Sequence, residues 1–155
     1  MTIRPATPQD VPHVLPMVRR ICEQHRQWDR ARYDFDQDPA ERYDRWMRQR
    51  AIDPRSVFFV ARQAEALVGF IVGTTEAEIP IYSLKEYGFI HDLWVEEAVR
   101  GQGIGRKLAQ AAIDAFGKIG VQQIRLDTAS SNEIARKLFA GCGFRPSTVQ
   151  MLREM

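Results

Sequence analysis

Residues 100–105 read Arg-Gly-Gln-Gly-Ile-Gly and join an apolar run, Gly88 to Val95 (GFIHDLWV), to a stretch with Leu108, Ala111, Ala112, Ala115 and Phe116 at helical spacing. A strand entering a helix through glycines at 101, 103 and 105 permits backbone angles closed to other residues, and nothing on the Cα blocks a ligand. Successive main-chain amides there, with the unsatisfied donors and positive end of the next helix, make a cradle for an anion. Arg100, Arg106 and Lys107 add positive charge beside it. A diphosphate suits such a cradle, although a plain strand-to-helix turn uses the same glycines. Two other phosphate patterns do not fit. The dinucleotide fingerprint G-x-G-x-x-G meets Arg106 at its last glycine, and it belongs in a first βαβ unit with an acidic residue about 20 positions on. The loop G-x-x-x-x-G-K-[ST] is absent.

Around this segment the pattern alternates strands and helices. Thr2 to Ala6 reads as a strand, and Pro8-Gln9-Asp10 opens a helix with Val11, Val14, Leu15, Val18 and Ile21 on one side. Pro39-Ala40-Glu41 opens a second helix, running to about Ile52, where Asp53-Pro54 breaks it. Ser56 to Arg62 and Ala66 to Thr74 form a hairpin about Gln63-Ala64-Glu65. Thr75 to Tyr87 reads as a loop, Gly88 to Val95 as a core strand, Gln123 to Thr128 as a strand, Asn132 to Ala140 as a helix and Phe144 to Leu152 as a last strand. The order β-α-α-β-β-β-α-β-α-β predicts one mixed α/β sheet domain over residues 1–155.

Composition narrows the function classes. The net charge of +2 is the residue of 22 basic and 20 acidic side chains, so no basic surface calls for nucleic acid or a membrane. Cys22 and Cys142 lie far apart, and His13, His25 and His91 are scattered, which gives neither a disulfide scaffold nor a metal site. No apolar run approaches the roughly 20 residues that span a bilayer, and the first residues lack the apolar core of a signal peptide. The expectation is a soluble, cytoplasmic domain with reduced cysteines. It is expected to bind neither metal, membrane nor nucleic acid.

Two motifs together carry a resemblance. HDLWVEEAVRGQGIGRKL resembles the R/Q-x-x-G-x-G/A signature of the GNAT superfamily of N-acetyltransferases, with Arg100, Gly103 and Gly105 at the fixed positions. N-x-x-A-x-x-L-[YF]-x-x-x-G-F, a second element of that family, is matched by Asn132, Ala135, Leu138, Phe139, Gly143 and Phe144. The resemblance implies a GNAT-like fold: a central, mostly antiparallel sheet, splayed after the fourth strand and flanked by helices. It also implies acetyl-CoA as co-substrate and no metal. The pyrophosphate would rest on the amides of Gly101, Gln102, Gly103, Ile104, Gly105 and Arg106. The pantetheine arm would pair like an extra strand with the backbone of Leu93, Trp94 and Val95. Asn132 would hydrogen-bond the pantetheine, and the helix bearing Phe139 would flank the thioester.

For direct transfer the acceptor amine must lose its proton, because an alkyl ammonium has no lone pair and titrates near pH ~10. The developing oxyanion needs a donor, for which the resemblance offers the Val95 amide. His91 stands where polyamine-type relatives, reading x-E-D-x-x-V, place a glutamate, and an imidazole suits a base near neutrality. The other reading of His91 is a strand histidine held for structure. In a regular strand His91 and Asp92 point to opposite faces; a bulge would relax this. Asp92 has the roles of orienting a partner or contacting a basic substrate, and Asp127 is a third candidate base. Phe139 stands where many family members carry a proton-donating tyrosine, so the donor to the leaving sulfur is unassigned among Tyr82, Tyr87, Cys142 and water.

The acceptor side is expected on the first two helices, their connector and the Thr75–Tyr87 loop. Trp28, Tyr33, Phe35, Tyr43 and Trp46 stand there among Asp29, Asp34, Asp36, Asp38 and Asp44, with Glu76, Glu78 and Glu86 beyond and arginines at 26, 30, 32, 42, 45 and 48 interleaved. Aromatic faces and carboxylates suit a small-molecule amine; solvated helices with core aromatics read the same way. A protein N-terminal or lysine acetyltransferase and a non-catalytic acyl-CoA sensor are the alternatives. Folds of this kind often assemble as homodimers, and the sequence leaves that open.

Overall fold

A computed structural model describes residues 1–35 and 38–155. Five strands, β1 (Thr2–Pro5), β2 (Val57–Gln63), β3 (Ala66–Ala77), β4 (Glu86–Val95) and β5 (Ile124–Leu126), form one sheet in chain order. Each of the first four is antiparallel to its neighbours among them, and β5 joins β4 in parallel. The helices are α1 (Val11–Trp28), α2 (Pro39–Ile52), α3 (Ile104–Ile119) and α4 (Glu133–Gly141). The sequence-predicted sheet and helices are present, mostly within one or two residues of the expected bounds.

Strand alternation splits the apolar residues between two cores. Phe58, Val60, Phe70, Val72 and Trp94 face α1 and α2, where they meet Val14, Val18, Ile21 and Met47. Val57, Ala61, Ile71 and Ile90 face the other way, against Leu108, Ala112 and Phe116 of α3 and Phe139 of α4. The hairpin between β2 and β3 turns through Ala64, the one non-glycine with positive φ (51°) among the described residues.

Two expectations need correction. The loop expected over Thr75–Tyr87 is shorter, because Thr75, Glu76 and Ala77 pair with Gly88, Tyr87 and Glu86. This long-range pairing overrides the poor strand propensity of its glutamates. The last strand expected over Phe144–Leu152 is not formed: residues 144–155 belong to no strand or helix. Helix α4 closes on Gly143 at φ 92°, with Phe144 N donating to Phe139 O at 3.0 Å. Pro146 then has no amide to give a ladder, and Arg32 Nε holds Gln150 Oε1 at 2.9 Å.

Two features of β4 set up the site. It pairs with β5 only over Gly88–Ile90, so its Leu93 to Val95 end parts from the neighbour. Its register with β3 also slips: Val72 faces Asp92 while Gly73 faces Ile90, and His91 is left over. At that point the strands approach closely, and a Cβ on Gly73 would stand 2.7 Å from Phe89 O.

Candidate active site

The glycine segment supplies the first wall. Gly101 and Gly103 have φ of 80° and 76°, and a Cβ on either would meet no atom within 4 Å. Both positions need glycine for the backbone, and both are bounded by open space. Gly103 caps α3, whose ladder begins with Lys107 N donating to Gly103 O at 3.1 Å. The amides before Lys107 lack intrahelical acceptors and sit at the positive helix end. Ile104 is buried as the anchor of this turn, while Gln102 and Arg106 are exposed. Positive-φ glycines, open space and unpaired amides fit a diphosphate.

The parted edge of β4 is the second wall. Glu96 donates its amide to Val68 O at 2.8 Å, toward β3. By two-residue alternation, Leu93 and Val95 turn their amides and carbonyls to the open edge, while Trp94 turns its backbone to β3. The Trp94 side chain is a core residue beneath the Arg100 guanidinium, 4.6 Å from its ring centre. Arg100 Nε donates to Val95 O at 2.9 Å. Arg100 is thereby a strut between the β4 end and the glycine turn, and the Val95 amide is left as the outward-facing donor.

From α4, Asn132 Oδ1 accepts from Ala135 N at 3.1 Å, so its oxygen caps the helix and its amide nitrogen stays available. Phe139 is buried edge-to-face on Phe144, with ring centres 5.3 Å apart, and contributes apolar wall. Asp127, just past β5, is exposed. Tyr87 lies under the Arg125 guanidinium at 3.9 Å, and Tyr82 is 52% exposed in the β3–β4 loop.

His91 and Asp92 end on the same face. With His91 left over in the register, both point toward α2, whose Tyr43 and Trp46 lie one turn apart and stack edge-to-face at 5.8 Å. His91 lies edge-on to Trp46 at 5.1 Å and to Phe89 at 5.0 Å, and its Nε2 is 2.7 Å from Thr74 Oγ1. Burial, and then Arg50, push its pKa below the ordinary 6.5, with Glu76 pulling the other way. Asp92 is partly exposed as a residue, yet its Oδ2 is shut from solvent without a hydrogen-bond partner. Burial pushes its carboxyl up to about 6, against the pull of the Tyr43 hydroxyl and the His25 ring. A histidine with a lowered pKa beside a carboxyl raised to about 6 is the kind of pairing that functional sites favour.

Most of the other acids expected near the acceptor are committed elsewhere. Asp38 caps α2 and pairs with Arg19; Asp44 pairs with Arg48 and Asp34 with Arg26. Glu86 pairs with Arg55 and Glu78 with Arg125. Asp36 lies outside the described residues. Glu76 is the exception: it points into the cluster and receives the Thr74 hydroxyl at 2.6 Å. Thr74 was not legible as a site residue, and only its spacing of two from Glu76 on one strand face hinted at it. Among the described residues no group of three His, Cys, Asp or Glu could hold a metal ion, and no helix is long and apolar enough to cross a membrane.

The model of the Acetyltransferase (GNAT) family matches residues 22–144. The chain belongs to the GNAT acetyltransferase family. GNAT enzymes generally use acetyl-CoA, in keeping with the diphosphate-shaped turn described above. The uncharacterized N-acetyltransferase YhfO of Bacillus subtilis (strain 168) is 28% identical over 149 residues, covering 96% of this chain and 92% of YhfO. N-alpha-acetyltransferase 30 of Schizosaccharomyces pombe is 40% identical over 57 residues, 37% of this chain and 38% of that protein. Among solved structures, a tetramutant of the BH1408 protein from Bacillus halodurans superposes with TM-score 0.84 at 24% identity over the whole of both chains, a likeness of fold.

Proposed function

We propose that this GNAT protein moves an acetyl group from acetyl-CoA to a primary amine by direct attack, with a small molecule as acceptor. The observation that carries the reading is the bulge: it turns His91 and Asp92 to one face beside the open edge of β4, against Trp46 and Tyr43. Acetyl-CoA supplies the activated thioester. Gly101 to Arg106 and the outward backbone of Leu93 and Val95 hold it. His91 takes a proton from the amine, and the Val95 amide faces the carbonyl oxygen as charge builds there. Asp92 is an anionic end-stop for a cationic acceptor among aromatic faces. Phe139 offers no proton, so the thiolate, whose conjugate thiol has a pKa near ~8.5, leaves without a donor from α4.

A second reading, acetylation of a protein N-terminus, is favoured by the local likeness to N-alpha-acetyltransferase 30, confined to 57 residues. Thiol release from acetyl-CoA, measured against polyamines, amino acids, aminoglycosides and short peptides, separates the two. Turnover of small amines at rates well above peptides supports the proposal. Preference for peptide N-termini overturns it in favour of the second reading, and acetyl-CoA binding without turnover of any amine overturns both.

A further inference from the structure

Thr74 sits between two groups that cannot both take its proton. Its Oγ1 lies 2.6 Å from Glu76 Oε1 and 2.7 Å from His91 Nε2, and the residue is only 5% exposed. A hydroxyl carries one proton, and a carboxylate only accepts. Were the proton given to His91, two oxygens would face each other at 2.6 Å with no hydrogen between them. The proton therefore goes to Glu76, and the hydroxyl oxygen accepts N–H from Nε2. Glu76 Oε1 is also 3.9 Å from that nitrogen, so its charge favours hydrogen on the same side of the ring. A neutral imidazole with hydrogen on Nε2 has its lone pair on Nδ1. The edge-on contacts with Trp46 and Phe89 resist rotation of the ring.

We propose that Glu76 and Thr74 are positioning residues, which fix His91 as its Nε2–H tautomer and leave Nδ1 as the atom that accepts the proton shed by the amine. The inference rests on the acetyltransferase reading above. As the acceptor nitrogen bonds to the acyl carbon, its proton moves to Nδ1; the other ring proton stays on Nε2, donated to Thr74 Oγ1, throughout. The side chain is 30% exposed, which gives the extra proton a path to solvent. The charged groups that face the ring are Glu76 from β3, Arg50 from α2 and the neighbouring Asp92. Of these, Glu76 favours the imidazolium and Arg50 disfavours it. Removing Glu76 therefore does two separable things: it frees the Thr74 proton to turn toward Nε2, and it lowers the pKa of the ring.

Nitrogen-15 NMR of the full chain labelled at histidine, recorded near pH ~8, reads the tautomer directly. The wild type is expected as Nε2–H. Glu76→Ala, at a half-exposed residue, shifts the ring toward Nδ1–H and lowers kcat roughly tenfold or more, with the KM for acetyl-CoA unchanged. It also moves the acid limb of kcat/KM to lower pH. Thr74→Val loses the tautomer preference and Thr74→Ser keeps it. A wild-type ring in the Nδ1–H form, or one unchanged in both Glu76→Ala and Thr74→Val, overturns the proposal. A tautomer that responds as stated in a protein whose His91→Ala variant turns over at full rate overturns the catalytic use while leaving the acetyltransferase reading intact. Absence of thiol release by the wild type with any amine overturns that reading itself, whatever the ring shows.

Discussion

A Cβ added to Gly105 would stand 2.8 Å from Leu138 Cδ1, so the second turn of the glycine segment is glycine because α4 leans on it. Gly101 and Gly103 are glycine for the opposite reason: nothing lies near them, and their backbone angles exclude side chains. Gly105→Ala is expected to be close to neutral, because the displaced Leu138 end roughly offsets the gain of about 0.5–1 kcal/mol from alanine in the helix. In a Leu138→Ala background the same change becomes stabilising. Gly103→Ala costs about 1–2 kcal/mol through its φ alone, and Leu138→Ala leaves it unchanged. Urea denaturation of the two double-mutant cycles checks this: coupling at 105 and additivity at 103.

Asp92 makes the fold less stable at the pH where it would be useful. Its carboxyl is raised from 3.8 to about 6, so the folded state holds the proton more tightly than the unfolded one. Stability is then greatest below pH ~4, falls as pH rises through ~6, and stays reduced by about 3 kcal/mol above it. Asp92→Asn is expected to be about 2–3 kcal/mol more stable than wild type at pH 8 and equal to it at pH 4, while losing activity. Chemical denaturation at the two pH values measures the difference, and an equal effect at both pH values contradicts it.

The rate should carry an acid limb below the ordinary histidine range. His91 must be neutral to accept a proton, and burial lowers its pKa from 6.5, so kcat/KM expressed per unprotonated amine holds down to pH ~6.5 and falls only beneath it. His91→Ala is expected to lose about 100-fold or more in kcat/KM and to leave only the limb near pH ~6 that Asp92 sets as it loses its charge. Asp92→Asn lowers the rate but keeps the limb set by His91. An Asp92→Asn profile with no acid limb, beside a His91→Ala variant of near-full rate, transfers the role of base to Asp92.

Ala64 holds the β2–β3 turn at φ 51°. A left-handed alanine costs about 1–2 kcal/mol, of which glycine's larger unfolded-state entropy cancels about half. Ala64→Gly is therefore expected to raise stability by about 0.5–1 kcal/mol without changing turnover. Thermal unfolding reads it as a small rise in Tm.

Local chemistry made much of this readable. Pro39 and Asp53-Pro54 bracket α2 within a residue, because proline enforces its boundaries whatever the tertiary context. The glycine turn and the two helices after it were legible for the same reason. Pairing between distant segments was not. Thr75 to Ala77 looks like a loop until Glu86 to Gly88 lies beside it, and the register slip that turns His91 and Asp92 to one face depends on how closely Gly73 meets Phe89. Thr148 to Leu152 has the composition of a strand without a neighbour in the described chain to make it one. Thr74 entered the site only because the register slip brings the His91 ring to its hydroxyl, although its own partner in the ladder is Phe89.

The sheet keeps its two cores apart, and no buried residue of one belongs to the other. One face of β4 carries His91 and Asp92 toward α2; its far edge meets the turn that starts α3. The cluster set against α2 and the Gly105–Leu138 contact share no residue, and changes at well-separated sites add with little interaction. A library of variants drawn from the outer positions of α2 and the Glu76 end of β3 would therefore explore new acceptors while the donor half keeps its shape. On the proposed reading, the choice of amine would be an adjustable part mounted on a constant acyl-donor platform.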